Sequence, residues 1–213
     1  MRKHRTVLLI AVSGVLVASS LAAAAQRPRS ITIAASPTAI VYGGRVTLAG
    51  SISPAEANER IQVEARACGQ NSFTRLSDTR TTAAGTWTVA AAPLLNTAYQ
   101  ARARGVSSQQ VAVQVRPRMA LAKVRAHRFR VTVSAAQSFA GKRATFQRFS
   151  RALGRWVRVR GVTLTSVQMG TPTVVTRATF RSGIRSGRRV RAVLAQSQVG
   201  ACYLGGISNA IRS

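Results

Sequence analysis

The chain of 213 residues is predicted to be all-β, with two tandem β-sandwich domains after an N-terminal signal peptide. Three observations predict this fold. Apolar and polar residues alternate with period two in short segments, turn residues separate the segments roughly every 8–12 residues, and the pattern starts again halfway along the chain. Period-two alternation places apolar side chains on one face of a strand, and many short strands with frequent turns are typical of sandwiches.

The first 25 residues have the order of a secretory signal peptide. Basic residues at positions 2, 3 and 5 precede an apolar run from Val7 to about Leu21, and small residues follow. The alanines of residues 22–25 suit the positions before a cleavage site. An uncleaved membrane anchor is the alternative, since ~20 residues can nearly span a bilayer. The short apolar centre and the cleavable end favour a secreted, extracellular chain without a transmembrane span after cleavage.

The composition excludes several classes of protein. With 46% hydrophobic residues the chain has enough apolar side chains to form hydrophobic cores. Disorder is therefore not expected, despite a net charge of +28. Two cysteines, two histidines and four acids are too few for a structural zinc cluster. His127 is expected to be a turn residue. All four acids lie in the first half of the chain, so we expect no catalytic residues, no cofactor and no enzyme activity: Glu56, Glu59, Glu64 and Asp78.

The first domain is predicted over residues 29–116. Its strands are read, in order, from the segments SITIAAS, RVTLAGSIS, RIQVEARAC, SFTRL, TWTVAAA, TAYQARA and QQVAVQVRP. Gly43, Gly44 and Gly85 supply turns between them, and Pro93 and Asn96 mark a corner.

The second domain is predicted over residues 118–213, after a short linker that contains Pro117. Its strands are read from RFRVTVS, RATFQRFS, RWVRVRGVTL and TRATFRSGIRSGRRVRAVLAQ. The last two correspond to segments of the first half at a spacing of ~90 residues, which indicates a weak internal duplication.

Several segments resemble bacterial Ig-like domains of secreted actinobacterial proteins. In the first half these are YGG, VTL, the Trp87 strand, the NT-Y segment and the last valine-rich strand; in the second half they are FQRFS, GRW and YLGGISN. The resemblance implies tandem Ig-like sandwiches outside the cell. It carries no active site, because the shared residues are packing and turn residues.

Tyrosines and cysteines are the next candidates for a defined role. Tyr99 is expected to pack its ring in the core and to bond its hydroxyl to a backbone group, as a structural corner tyrosine; a ligand-stacking tyrosine is the alternative. Tyr203 is expected near an exposed edge. Cys68 and Cys202 are either bridged or remain as separate or intermolecularly paired thiols, because a bridge needs the two domains folded back to within about 7 Å between Cα atoms.

The basic residues are distributed unevenly. Residues 118–213 hold nineteen basic residues and no acid, whereas residues 26–117 hold ten basic residues and four acids. Six arginines form i, i+2 pairs on predicted strands, so each pair is expected to project from one face of a sheet: Arg128 with Arg130, Arg158 with Arg160, and Arg189 with Arg191.

Such a surface predicts binding to an extracellular polyanion such as wall polymer, phospholipid headgroups, acidic polysaccharide or DNA. The alternative is a solvated face that serves solubility. We expect a secreted, non-catalytic structural or adhesion-type protein, retained non-covalently at the cell wall or matrix through its cationic surface. A dedicated extracellular polyanion-binding module is the second hypothesis, with no small-molecule substrate in either case.

Export predicts a mature chain that starts at Ala25 or Gln26, because the small residues before these positions suit signal peptidase. Mass spectrometry of the culture medium and of the membrane fraction measures this. Full-length chain found only in the membrane would show that the segment is an anchor.

Overall fold

The computed structural model describes residues 29–213, and the predicted signal peptide of residues 1–25 lies outside the described residues. The first half contains ten strands: β1 (Ser30–Ile31), β2 (Ala34–Ser36), β3 (Ala39–Val41), β4 (Val46–Ser53), β5 (Arg60–Ala67), β6 (Thr74–Arg80), β7 (Thr86–Ala91), β8 (Thr97–Ala103), β9 (Val106–Ser107) and β10 (Val111–Arg116). One sheet has the order β1-β4-β2, with β7 also on β4. The other has the order β3-β10-β8-β5-β6, with β9 also on β8.

The second half contains nine strands and one short helix: β11 (Arg118–Arg125), β12 (Arg128–Ala135), β13 (Arg143–Ser150), β14 (Arg155–Thr163), β15 (Ser166–Gln168), β16 (Val174–Arg181), β17 (Arg189–Leu194), α1 (Gln196–Val199), β18 (Gly206–Ile207) and β19 (Ile211–Arg212). One sheet has the order β11-β12-β16-β15. The other has the order β14-β13-β17-β18, with β19 also on β17.

Both halves distribute their strands in the same way. In the first half β4 and β7 share one sheet while β5, β8 and β10 share the other; in the second half β12 and β16 share one sheet while β13, β17 and β18 share the other. Ig-like sandwiches divide their strands between the two sheets in this same way. The predicted all-β fold of tandem sandwiches is therefore confirmed.

The alternating apolar residues of the strands form the hydrophobic core between the two sheets of each sandwich. In β12 the side chains of Phe129, Val131 and Val133 are fully buried, and Phe129 packs against Phe146 of the opposing sheet with ring centroids 5.2 Å apart. Burial of such a side chain contributes about 1.5–3 kcal/mol. The intervening residues of each strand must then face solvent, which decides where the basic side chains lie.

The two sandwiches meet at a tight junction. β10 ends at Arg116 and β11 begins at Arg118, and the intervening Pro117 is buried. The amide of Leu204 donates to the carbonyl of Val115 (2.8 Å), so the segment after α1 extends the hydrogen bonding of the first half. The predicted linker is thus a single packed residue.

The side-chain amide of Asn96 forms hydrogen bonds with both halves of the chain at the junction. Its Oδ1 accepts from the amide of Val115 (2.7 Å), and its Nδ2 donates to the carbonyl of Ala201 (2.9 Å). Its own amide donates to the carbonyl of Cys202 (2.9 Å). One residue of the first half therefore holds both its own last strand and the segment after α1.

Tyr203 lies at the centre of this junction, and the expectation of an exposed edge position is wrong. Its side chain is fully buried and meets the Phe139 ring edge-on, with centroids 5.7 Å apart. The hydroxyl donates to the carbonyl of Leu94 (2.8 Å) and accepts from the amide of Ala136 (2.9 Å), so it bonds to both halves. Burial raises the pKa of the Tyr203 phenol above its ordinary value.

Tyr99 is buried as predicted, but the hydrogen bonds among the described residues include none from its hydroxyl to a backbone group. The ring lies in the core of the first sandwich with 2% exposure, and burial raises the pKa of its phenol to about 12. On the same side of β8, the Thr97 hydroxyl donates to the carbonyl of Leu95 (2.7 Å). Two other tyrosine hydroxyls donate to backbone carbonyls: that of Tyr203 to Leu94, and that of Tyr42 to Pro172 (3.0 Å).

Tyr203→Phe should therefore destabilise the chain more than Tyr99→Phe. The first change leaves a carbonyl and an amide without their partner and should cost about 2–3 kcal/mol, whereas the second removes a hydroxyl without such a pair of backbone partners and should cost at most about 1.5 kcal/mol. Urea unfolding of the oxidised proteins measures both. Equal costs would show that Tyr203 does not hold the junction.

Candidate polyanion-binding surfaces

Arg128 and Arg130 lie together on one outer face of the second sandwich. Both point away from the core, because Phe129 between them is fully buried. Cross-strand pairing adds Arg125 and Arg181 directly beside Arg128. We call this surface the β12 face and define it by Arg125, Arg128, Arg130, Arg177 and Arg181.

Arg189 and Arg191 lie together on the outer face of the other sheet, on either side of the buried Val190. Gln147 pairs with Arg191 on one side and with Arg158 on the other, so these three side chains form a row across three strands. We call this surface the β17 face and define it by Gln147, Phe149, Trp156, Arg158, Arg189 and Arg191. The six predicted arginines therefore do not form one surface, because the two faces are on opposite sides of the sandwich.

Arg158 and Arg160 do not share a face, so this part of the prediction is wrong. A bulge at Val159 shifts the register, and Arg158 faces Gln147 whereas Arg160 faces Phe146. Adjacent residues of β13 point to opposite sides of the sheet, and so do their partners on β14. Arg160 instead donates to the carbonyl of Arg181 (2.7 Å) and lies 5.8 Å from the Phe180 ring centroid.

Aromatic rings hold the guanidinium groups of the β17 face. Arg191 lies over the Trp156 ring, with its guanidinium carbon 4.3 Å from the ring centroid, and its Nε donates to Gln147 Oε1 (2.9 Å). Arg189 lies 5.7 Å from the Phe149 centroid and 5.9 Å from that of Trp156. Each contact is worth about 0.5–1 kcal/mol at an exposed site, which orders the charges without neutralising them.

Partial burial lowers the pKa of the Arg191 guanidinium from its ordinary value. An arginine stays protonated in proteins despite such a shift. Arg191 therefore presents a positive charge that is partly stripped of water, and its planar fork is held in one orientation by the indole ring beneath it.

The acids of the first half are engaged by its own arginines. Ion pairs among the described residues join Asp78 to Arg60 and Arg75, Glu64 to Arg102, and Arg104 to Glu56 and Glu59. None of these pairs involves residues 118–213. The arginines of both outer faces of the second sandwich therefore carry their charge without an internal carboxylate partner.

Cys68 and Cys202 are joined in a disulfide, with Cα atoms 5.3 Å apart. Cys68 follows β5 of the first half and Cys202 follows α1 of the second half, so the bridge crosses the junction. The amide of Cys68 also donates to the carbonyl of Asn96 (2.8 Å). The structure contains no free cysteine among residues 29–213.

Other functional groups are sparse in the part of the chain that the structure describes. His127 occupies the turn between β11 and β12 in the left-handed region, with φ at 55°. Within residues 29–213 no cluster of three or more histidine, cysteine or acidic side chains could hold a metal ion. The same residues include no helix with the length and apolarity needed to cross a membrane.

Sequence reasoning missed the residues that strand pairing and turns bring to these faces. Gln147 is unremarkable in sequence, yet it joins Arg158 to Arg191 across β13. Arg181 reaches Arg128 only through the pairing of β16 with β12. Period two within each strand identifies outward residues, but it does not say which strands are neighbours.

No protein-family model matches this chain, and no curated protein matches it.

The Cys68→Ser, Cys202→Ser double variant should lose about 3–5 kcal/mol of unfolding free energy, because the bridge closes a loop across 134 residues of sequence separation. Urea unfolding of the double variant and of the oxidised wild-type chain measures the difference. A loss below about 1 kcal/mol would show that the junction is held without the bridge.

Proposed function

We propose that the chain is an exported, non-catalytic structural or adhesion-type protein of Ig-like sandwiches, retained at an anionic polymer of the cell wall or matrix through its second half. The observation that carries this proposal is the charge of residues 118–213: nineteen basic residues, no acidic side chain, and two arginine-bearing outer faces. A strand fixes these side chains in rows, which a disordered basic tail does not do.

The physical basis is multiple ionic contact. Each guanidinium can form forked, charge-assisted hydrogen bonds with phosphate, sulfate or carboxylate oxygens. A polymer that exchanges its condensed counterions for these arginines gains entropy, so affinity falls steeply with salt. The surface selects for charge density because both faces are sheets whose outward arginines contact backbone charges.

Retention fits the arrangement of the charge. The four acids of the first sandwich pair with its own arginines, so its ten basic residues and four acids attract a polyanion less than the nineteen basic residues of the second half. The two basic faces lie on opposite sides of the second sandwich and can contact two polymer chains at once. A protein of this kind anchors itself and links neighbouring chains by the same contacts.

Trp156 favours a second candidate function, a module that binds single-stranded nucleic acid. Its ring is half-buried on the β17 face beside Phe149, with centroids 5.5 Å apart, and it is bordered by Arg189 and Arg191. Aromatic rings among basic side chains are the usual platform for unpaired bases. Trp156→Ala should then weaken binding to single-stranded DNA more than binding to heparin. Equal losses would show that charge alone, and not stacking on Trp156, determines the binding.

The proposed retention predicts salt-dependent binding to heparin, DNA and isolated wall polymer. Replacing Arg189 and Arg191 by Gln should weaken binding to a short DNA duplex and reduce the slope of log K against log salt by about 0.9 for each lost phosphate contact. Fluorescence anisotropy across a salt series measures this, and circular dichroism checks the fold of each variant.

The matched control is Arg45→Gln with Arg66→Gln, which removes the same charge from the first sandwich. This control should change the affinity and the slope far less. The proposal fails if the wild-type chain does not bind these polymers at low salt, if binding is independent of salt, or if the control weakens binding as much.

A further inference from the structure

A cavity of about 250 Å³ lies beside the β17 face, at the end of the second sandwich farthest from the junction. β17 begins at Arg189 beside the cavity, whereas the junction contacts follow the opposite end of this strand. The cavity is lined chiefly by one aromatic ring and five arginines: Phe149, Arg151, Arg185, Arg188, Arg189 and Arg212.

The loop that carries Arg185 and Arg188 is held in place by hydrogen bonds. The Ser213 hydroxyl donates to the carbonyl of Arg185 (2.7 Å) and accepts from the amide of Arg188 (3.0 Å). The amide of Gly187 donates to the carbonyl of Ser213 (3.0 Å). The backbone is therefore ordered before any ligand arrives, which lowers the entropy cost of binding.

The cavity concentrates positive charge, since five of its eight lining residues are arginines. No carboxylate side chain lines it, because residues 118–213 contain none. Guanidinium groups stay protonated, so five of them around one small space repel each other. An anion placed among them relieves this repulsion and accepts several forked hydrogen bonds at once.

We propose that this cavity binds a dianionic phosphate group, either inorganic phosphate or a phosphomonoester. A phosphomonoester carries about −1.5 to −2 charges near pH 7, whereas a carboxylate, a sulfate ester or a phosphodiester carries one. The volume is below the roughly 300–1,000 Å³ of pockets for drug-sized ligands, and it suits a small anionic group.

The inference rests on the proposed function, since the cavity shares Phe149 and Arg189 with the β17 face. A polymer that lies along this face reaches the cavity at its end. The cavity then selects a terminal phosphate, whereas the face itself selects only charge density. The proposed site is thus a defined binding position within a surface of otherwise non-specific attraction.

Isothermal titration calorimetry of the mature chain in a low-salt chloride buffer tests this site. The probes are inorganic phosphate, methyl phosphate as the monoester and dimethyl phosphate as the diester. We expect saturable binding of the two dianions and binding of the diester weaker by about tenfold or more. Methyl phosphate that binds as well as inorganic phosphate indicates a terminal ester as the natural ligand, and preference for inorganic phosphate indicates the free ion.

Two double variants separate the cavity from general charge. Arg185→Gln with Arg188→Gln should weaken phosphate binding by about tenfold or more, since two of the five guanidinium groups are lost. Arg128→Gln with Arg130→Gln removes the same charge from the β12 face and should change phosphate binding by less than about twofold. Equal losses in the two variants, or no saturable phosphate binding by the wild-type chain, would overturn the cavity site.

Heparin titrated into the same samples tests the proposed function separately, because both double variants should weaken heparin binding to a similar extent. Heparin binding without a phosphate site would remove this inference and leave the proposed function standing. Phosphate binding without heparin binding would remove the proposed function and leave the phosphate site standing. Thermal melts of all variants confirm that the measured proteins are folded.

Discussion

The pleat of the strands is the constraint on which the surface of the second sandwich depends. Every other residue of β12 and β17 enters a closed apolar core, so the residues between them must face water. Where those residues are arginines, their charges stand in rows that the backbone cannot rearrange. A single extra residue in β14 moves Arg160 off the face that holds Arg158, which shows how strictly the pleat governs the site.

The junction joins the two sandwiches at one end of each, so each sandwich has a second end that points away from it. Asn96, Tyr203 and the Cys68–Cys202 bridge join the ends of the two sandwiches. The ion pairs of Glu56 and Glu59 with Arg104 lie near the start of β5, at the end of the first sandwich away from this junction. The arginine cavity lies at the far end of the second sandwich. The ion-paired acids and the arginine cavity are thereby held at opposite ends of the two sandwiches.

Sequence patterns predicted the all-β fold well, because period two and turn spacing are local properties. They also predicted the outward positions of Arg128, Arg130, Arg189 and Arg191, since each pair flanks a buried residue of its own strand. The separation of these pairs onto two faces was beyond prediction, because it depends on which strands are neighbours. The bulge at Val159 was unpredictable for the same reason, because a shift in register is visible only when the partner strand is known.

The roles of the tyrosines could not be assigned from local sequence either. Tyr99 lies on a strand with clear alternation, so its burial was predictable. Tyr203 lies outside any long strand, in a glycine-containing segment, and this context gave no sign of burial. Its two partners are 67 and 109 residues away, so only the assembled junction shows that it bonds to both halves.

The buried Pro117 has a consequence for how a polymer coated with this protein would meet its surroundings. One packed residue between two sandwiches cannot act as a hinge, so a polymer held on the faces of the second sandwich, as proposed, fixes the orientation of the first sandwich as well. Strands of eight or nine residues span about 26–30 Å, so the first sandwich extends about that far beyond the faces that hold the polymer. A dense layer of such molecules would mask the negative polymer and present the more nearly neutral first sandwiches to the outside.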